Sequence, residues 1–155
     1  MTKVAAVAID LDALADTRPL WDDWLRTAAP VLGIDPAAIP SDRGEAAEIL
    51  DRGRAGNWRT LLERFSEDRA AAYLRRDAST SAALRSLAGG GCALGVFTDA
   101  PEPLARVALA QLGAERRVGA LETGTGAEDR LLARLGGNAV VVSTRDELRA
   151  VAERP

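Results

Sequence analysis

Four short apolar runs punctuate the chain, and segments of helical period separate them. Val4 to Ile9 is the first and runs straight into two aspartates. Residues 92–98 (CALGVFT) and 139–143 (AVVVS) read the same way, and residues 117–122 (RVGALE) form a weaker fourth. Runs this short, with little polar alternation, fit strands buried on both faces. Residues 101–112 carry Leu104, Val107, Ala108 and Leu112 on one helical face and stop at Gly113. Residues 127–135 carry Leu131, Leu132 and Leu135 and stop at Gly136-Gly137. Strands alternating with helices predict parallel pairing through right-handed crossovers.

The interval between the first two strands is too long for one crossover helix. Leu20, Trp21, Trp24, Leu25 and Ala28 repeat at helical spacing, as do Trp58, Leu61, Leu62, Phe65, Ala72 and Tyr73. Between these two helices, residues 33–56 are punctuated by Pro and Gly and contain one short helix at 46–50. A further helix over 81–88 returns to the second strand through Gly89-Gly90-Gly91. The expected architecture is an α/β three-layer parallel sheet, Rossmann-like, of about four strands. Residues 1–16 and 79–155 build that core, and residues 17–78 form a small helical cap inserted after the first strand. All three tryptophans fall in the insertion, where their spacing points to packing between helices rather than to a stacking surface for a ligand.

Composition narrows the chemistry. The 155 residues make one domain of ordinary size, 47% hydrophobic and 28% charged, as in soluble globular proteins. A net charge of −3 argues against nucleic acid or an acidic membrane as partner. With no histidine, Ser-His-Asp, Cys-His and His-ligated metal chemistry are excluded. The single cysteine, Cys92, offers no internal disulfide. Together with the lack of a targeting or spanning segment, that predicts a cytoplasmic protein. Of twenty basic residues only Lys3 is a lysine, so chemistry that needs a lysine beyond the first strand must find another cation.

In open α/β sheets ligands bind at the carboxyl ends of the strands. Those ends read Asp10-Leu11-Asp12, Thr98-Asp99, Glu122-Thr123-Gly124 and Ser143-Thr144-Arg145-Asp146. Two carboxylates separated by one residue just past a buried strand repel each other unless a cation or proton intervenes. Mg2+ suits that place, because it takes one or two carboxylates, keeps several waters and accepts phosphate oxygen. Asp10 and Asp12 are the candidate metal ligands, and an activated aspartate can also attack phosphorus.

At these residues the chain resembles the haloacid dehalogenase-like superfamily, most of whose members are phosphohydrolases. Val7-Ala-Ile-Asp-Leu-Asp-Ala-Leu-Ala-Asp-Thr17 is similar to its first motif, a strand followed by D-x-D-G-T-L-x-D-T. Leu94-Gly-Val-Phe-Thr98 is similar to its second, a strand ending in Thr or Ser, and the helical insertion also matches. The resemblance implies that Asp10 is the nucleophile, that Asp12 is the general acid/base, and that Thr98 binds a phosphoryl oxygen. The substrate would be a small phosphorylated molecule and the cofactor Mg2+.

The chain departs from that pattern in three places. Ala13-Leu14 stands where the first motif has Gly-Thr; no lysine opens the helix after the third strand, near Gly124; and Ser143-Thr144 replaces the acids of the fourth motif. Arg145, or Arg130, is the candidate stand-in for the lysine, with Arg145 assigned to phosphate binding. Thr144 and Glu147 fit a helix capping box better than a displaced metal site, Asp99 and Glu102 fit a second, and Asp16 or Thr17 an N-cap ahead of Pro19. Without lysine and metal, a carboxylate about 4 Å from a phosphate oxygen costs roughly 4 kcal/mol at an effective dielectric of 20, a thousandfold or so in rate. Whether the chain is an enzyme is therefore left open between a weak or narrow phosphatase and a non-catalytic relative that binds an unidentified protein or small anion. The chain ends one helix after the fourth strand, and the Val140-Val142 edge calls for cover by that helix or by a second copy in a homodimer.

Overall fold

The computed structural model describes residues 4–53 and 55–154. The four apolar runs become β1 (Ala6–Asp10), β2 (Ala93–Thr98), β3 (Ala120–Thr123) and β4 (Val140–Val142). They form one sheet in the order β3-β2-β1-β4, and every pairing is parallel. β1 lies at the centre, with Val7, Ala8 and Ile9 fully buried. The register sets Asp10 beside Phe97 and Thr98 beside Thr123, so the first three strands end on the same side of the sheet. β3 and β4 are the edges of the sheet formed by the described residues.

The polypeptide leaves β1 through a single helical turn, α1 (Leu11–Leu14), which the sequence pattern does not predict. Asp10 caps that turn by accepting the Asp12 N–H at 3.0 Å. Ala13 and Leu14, the residues in place of Gly-Thr, are buried in the main core. The turn is therefore an apolar plug at the strand ends.

The insertion consists of α2 (Arg18–Leu32), a 3-10 turn at Pro36–Ala38, α3 (Arg43–Arg52) and α4 (Trp58–Tyr73). Trp21, Trp24 and Trp58 are almost wholly buried and stack in sequence, with ring centroids 5.1 and 6.0 Å apart. The tryptophans do pack helix against helix. α3 begins three residues earlier than its apolar positions suggest, because Asp42 caps it by accepting the Glu45 N–H. α5 (Ala78–Gly89) likewise starts early, where Asp77 accepts from the Thr80 N–H and hydroxyl.

The remaining helices are α6 (Glu102–Gln111), α7 (Ala127–Leu135) and α8 (Arg145–Ala152). α7 covers β1, β2 and β3, where Leu131 and Phe97 form a small separate core. α8 packs mainly on α5, and α4 lies along α6, tying the insertion to the core. No described helix is long and apolar enough to cross a membrane.

The tryptophans yield a contrast. Trp58 Nε1 donates to Asp51 at 3.0 Å, whereas Trp24 Nε1 is buried without a partner among the described residues. Trp58→Phe strands the bond Asp51 accepts, while Trp24→Phe deletes an unsatisfied donor. Urea titration should find Trp58→Phe destabilising by about 1 kcal/mol more than Trp24→Phe.

Candidate active site

Asp10, Asp12, Thr98 and Asp99 line one cleft of about 370 Å³, together with Asp42 from the insertion and Gly124 to Asp129 beyond β3. A groove between α4 and α6 is slightly larger, about 400 Å³, but among the described residues Glu67 and Arg106 are its only charged lining and it lies away from the strand ends. Six carboxylates face the first cleft: Asp10, Asp12, Asp42, Asp99, Glu128 and Asp129. Among the described residues no basic side chain lines it.

Asp10 and Asp12 are held differently. Burial, the largest cause, pushes the Asp10 carboxyl above its ordinary value, and the neighbouring Asp12 charge adds to this. The Asp12 N–H and the Arg43 guanidinium work against the shift without cancelling it. Asp12 Oδ1 accepts from the Thr17 hydroxyl at 3.0 Å and the Thr17 N–H at 3.2 Å. Its Oδ2 lies 3.7 Å from Arg43 Nη2. Thr98 is buried, accepts the Ala100 N–H at 3.2 Å through its hydroxyl, and keeps its own proton to donate.

Arg43 is the residue that sequence reasoning missed. It is 1% exposed and reaches across from the first turn of α3. Its Nε and Nη2 donate to Asp99 Oδ1 at 3.0 and 2.8 Å, and its backbone N–H donates to Asp99 Oδ2 at 2.9 Å. Nη1 donates to the Thr17 hydroxyl at 2.6 Å. Burial alone would raise the Asp99 carboxyl; the Arg43 backbone and guanidinium outweigh it and hold it below the ordinary value. Asp99 therefore does not cap α6, as its spacing to Glu102 suggests. Pro101 takes the N-cap position of α6 without a side-chain bond. Thr17 similarly stands at the N-cap position of α2 but gives its hydroxyl to Asp12, leaving Asp16 to accept the Arg18 N–H.

The two arginines proposed as lysine substitutes are engaged elsewhere. Arg130 pairs with Glu122 and donates to the Thr123 and Thr125 carbonyls, pinning the loop after β3 from behind. Arg145 reaches the Leu14 carbonyl at 3.4 Å and does not line the cleft. The structure thus brings Asp10, Asp12 and Thr98 together and leaves Arg145 out. Thr144 caps α8 by accepting the Glu147 N–H at 3.1 Å, and Glu147 reaches back to the Ser143 N–H. The capping reading of these residues holds.

No protein-family profile and no curated protein sequence matches the chain. Solved structures do. A crystal structure of a protein assigned as a beta-phosphoglucomutase from Thermotoga maritima matches with a TM-score of 0.55 and 20% identity, over 96% of this chain and 82% of that one. A dehalogenase structure with an intermediate complex matches with a TM-score of 0.49 and 12% identity, over 98% of this chain and 81% of that one. The first likeness and the all-parallel sheet give the chain a Rossmann-like α/β fold, four parallel strands flanked by helices, shared with that structure.

The strained charge at Asp10 is measurable. A carboxyl whose pKa is raised on folding contributes its full stability below the unfolded value and loses it as the pH rises through the folded value. Asp10→Asn removes that loss and can still cap α1. In metal-free buffer its melting temperature should exceed wild type by on the order of 2 °C at pH 7, and the gain should vanish below pH 4 or so.

Proposed function

We propose that the chain is a phosphohydrolase acting on a small phosphorylated molecule, with Asp10 as nucleophile. The observation that carries this reading is the adjacency of Asp10 and Thr98 at the ends of neighbouring central strands, both opening into a cleft of about 370 Å³. An Asp10 oxygen attacks phosphorus, the P–O bond to the leaving group breaks, and Asp12 gives that oxygen a proton. Asp12 then takes a proton from a water that attacks the aspartyl phosphate, releasing phosphate and restoring Asp10. The Thr98 hydroxyl donates to a phosphoryl oxygen.

Mg2+ fits the donors present. Asp10 and Asp12 would hold it, and two carboxylates are what this ion takes from a protein that also offers it phosphate. Bound there, it would neutralise charge between carboxylate and phosphoryl oxygens. Among the described residues no set of three acidic, Cys or His side chains is placed to hold a metal. Affinity for the ion alone is therefore expected to be low, and metal and phosphate should bind together.

One observation favours a second reading, a non-catalytic binding protein. Arg130 and Arg145 are spent on Glu122 and backbone carbonyls, so among the described residues no cation lines the cleft opposite a phosphate.

Thermal shift with Mg2+ and beryllium fluoride, a mimic of the aspartyl phosphate, separates the readings. A ligand at a hundred times its dissociation constant adds about 2.7 kcal/mol and raises the melting temperature by several degrees. The phosphohydrolase reading expects that shift in wild type with both ions together and none in Asp10→Asn. No shift at saturating ions in wild type supports the non-catalytic reading.

A further inference from the structure

The sheet edge at β3 runs beside the cleft. All four residues of β3 are half-exposed, whereas β1 and β2 are buried over most of their length. A groove of about 270 Å³ follows this edge, floored by Val118 to Leu121 and walled by Arg106 of α6 and Arg134 of α7. Among the described residues β3 pairs with β2 alone, so alternate N–H and C=O groups face the groove side. The charge along this edge is polarised. Arg116 and Arg117, just ahead of the strand, are exposed and basic. Glu128 and Asp129, just beyond it in the first turn of α7, are exposed and acidic, and both line the cleft. Two copies laid antiparallel along β3 set each basic entry against the other's acidic exit, about a two-fold axis. Parallel pairing would set like charges together. The opposite edge, β4, has three residues, is preceded by Gly136-Gly137-Asn138 and supplies none of the described cleft lining.

We propose that a second copy of the chain docks antiparallel along β3, and that Arg116 and Arg117 of each copy complete the cleft of the other. The strand bonds to β2 from Gly119, which donates to the Leu94 carbonyl, to Gly124, which donates to the Thr98 carbonyl. Pairing two copies over that stretch brings the second copy's Arg116 and Arg117 alongside residues 125–127. Thr125, Gly126 and Ala127 line the cleft. Within one copy six carboxylates face that cleft and, among the described residues, no basic side chain does. A guanidinium arriving over the loop after β3 offsets the acids and presents paired N–H donors to a phosphoryl group. The role given to the arginines rests on the phosphohydrolase reading, whereas the interface does not.

Sedimentation velocity tests the interface, and fluorine NMR of beryllium fluoride with Mg2+ tests the shared site, both on the full chain. Wild type should sediment as a dimer. The variant carrying Arg116→Glu and Arg117→Glu changes only exposed side chains, and its dimer should be weaker by about tenfold or more. The variant carrying Arg116→Gln and Arg117→Gln keeps the backbone pairing, so it should remain a dimer and lose the bound fluoride signal. Asp10→Asn should lose that signal too, while its arginines stay in place. Mixing the glutamine variant with Asp10→Asn in equal amounts should restore about a quarter of the wild-type signal, because half the dimers then hold one complete site. A wild-type monomer that binds beryllium fluoride would overturn the proposal and leave the phosphohydrolase reading standing. Undiminished signal in the glutamine variant, or no recovery in the mixture, would overturn the supply of the cation by a second copy. A wild-type dimer that binds no beryllium fluoride would overturn the phosphohydrolase reading and the role of the arginines with it, while the glutamate variant still decides the interface.

Discussion

The structure turns on a single buried charge. Arg43 is 1% exposed, and a guanidinium in that position is tolerable only when nearly all its donors are met. Asp99 accepts from two of its three nitrogens, Thr17 accepts from the third, and Asp12 stands close by. These partners come from the end of β2, the linker into the insertion and the turn after β1. One side chain thereby fixes how the inserted helices sit on the sheet and how the acidic residues of the cleft are arranged around it.

That arrangement accounts for the uneven state of the acids. Asp99 and Asp12 have cationic or N–H partners, whereas Asp10 has one N–H bond, partial burial and the charge of Asp12 beside it. The residue left under electrostatic strain is the one at the end of the central strand, the nucleophile of the proposed reaction. Strain of this kind is expected where a cation and phosphate complete a site, and stability is given up for it. The lysine that the resemblance in sequence leads one to expect after the third strand has no direct replacement among the described residues. Arg130 occupies that neighbourhood, but it braces the loop from its outer side.

The sheet was legible because buried parallel strands leave an unmistakable trace. VAAVAI, LGVF and VVV have no polar residue to offer solvent, and Asp10, Asp12 and Thr98 are marked by standing where those runs stop. The pairing of Arg43 with Asp99 left no such trace. Arg43 is one arginine among many in this chain, and nothing local sets it apart from the exposed ones. Its partner lies 56 residues on, and pairing at that range is decided by tertiary packing. Asp99 and Thr17 misled for a related reason: each carries an ordinary capping signature, and the buried guanidinium outbid the helix end. The one usable hint was Ser41-Asp42-Arg43-Gly44-Glu45, a capping pattern that starts α3 at residue 43 and puts a glycine where two backbones meet.

The most direct measurement is a double-mutant cycle on Arg43→Gln and Asp99→Asn, read by urea unfolding. If one guanidinium joins the insertion to the core, each single substitution strands a buried partner. The double variant should then be more stable than the sum of the two losses predicts, by about 1.5 kcal/mol or more. Losses that add to within about 0.5 kcal/mol would mean that the two residues act separately and would contradict the account.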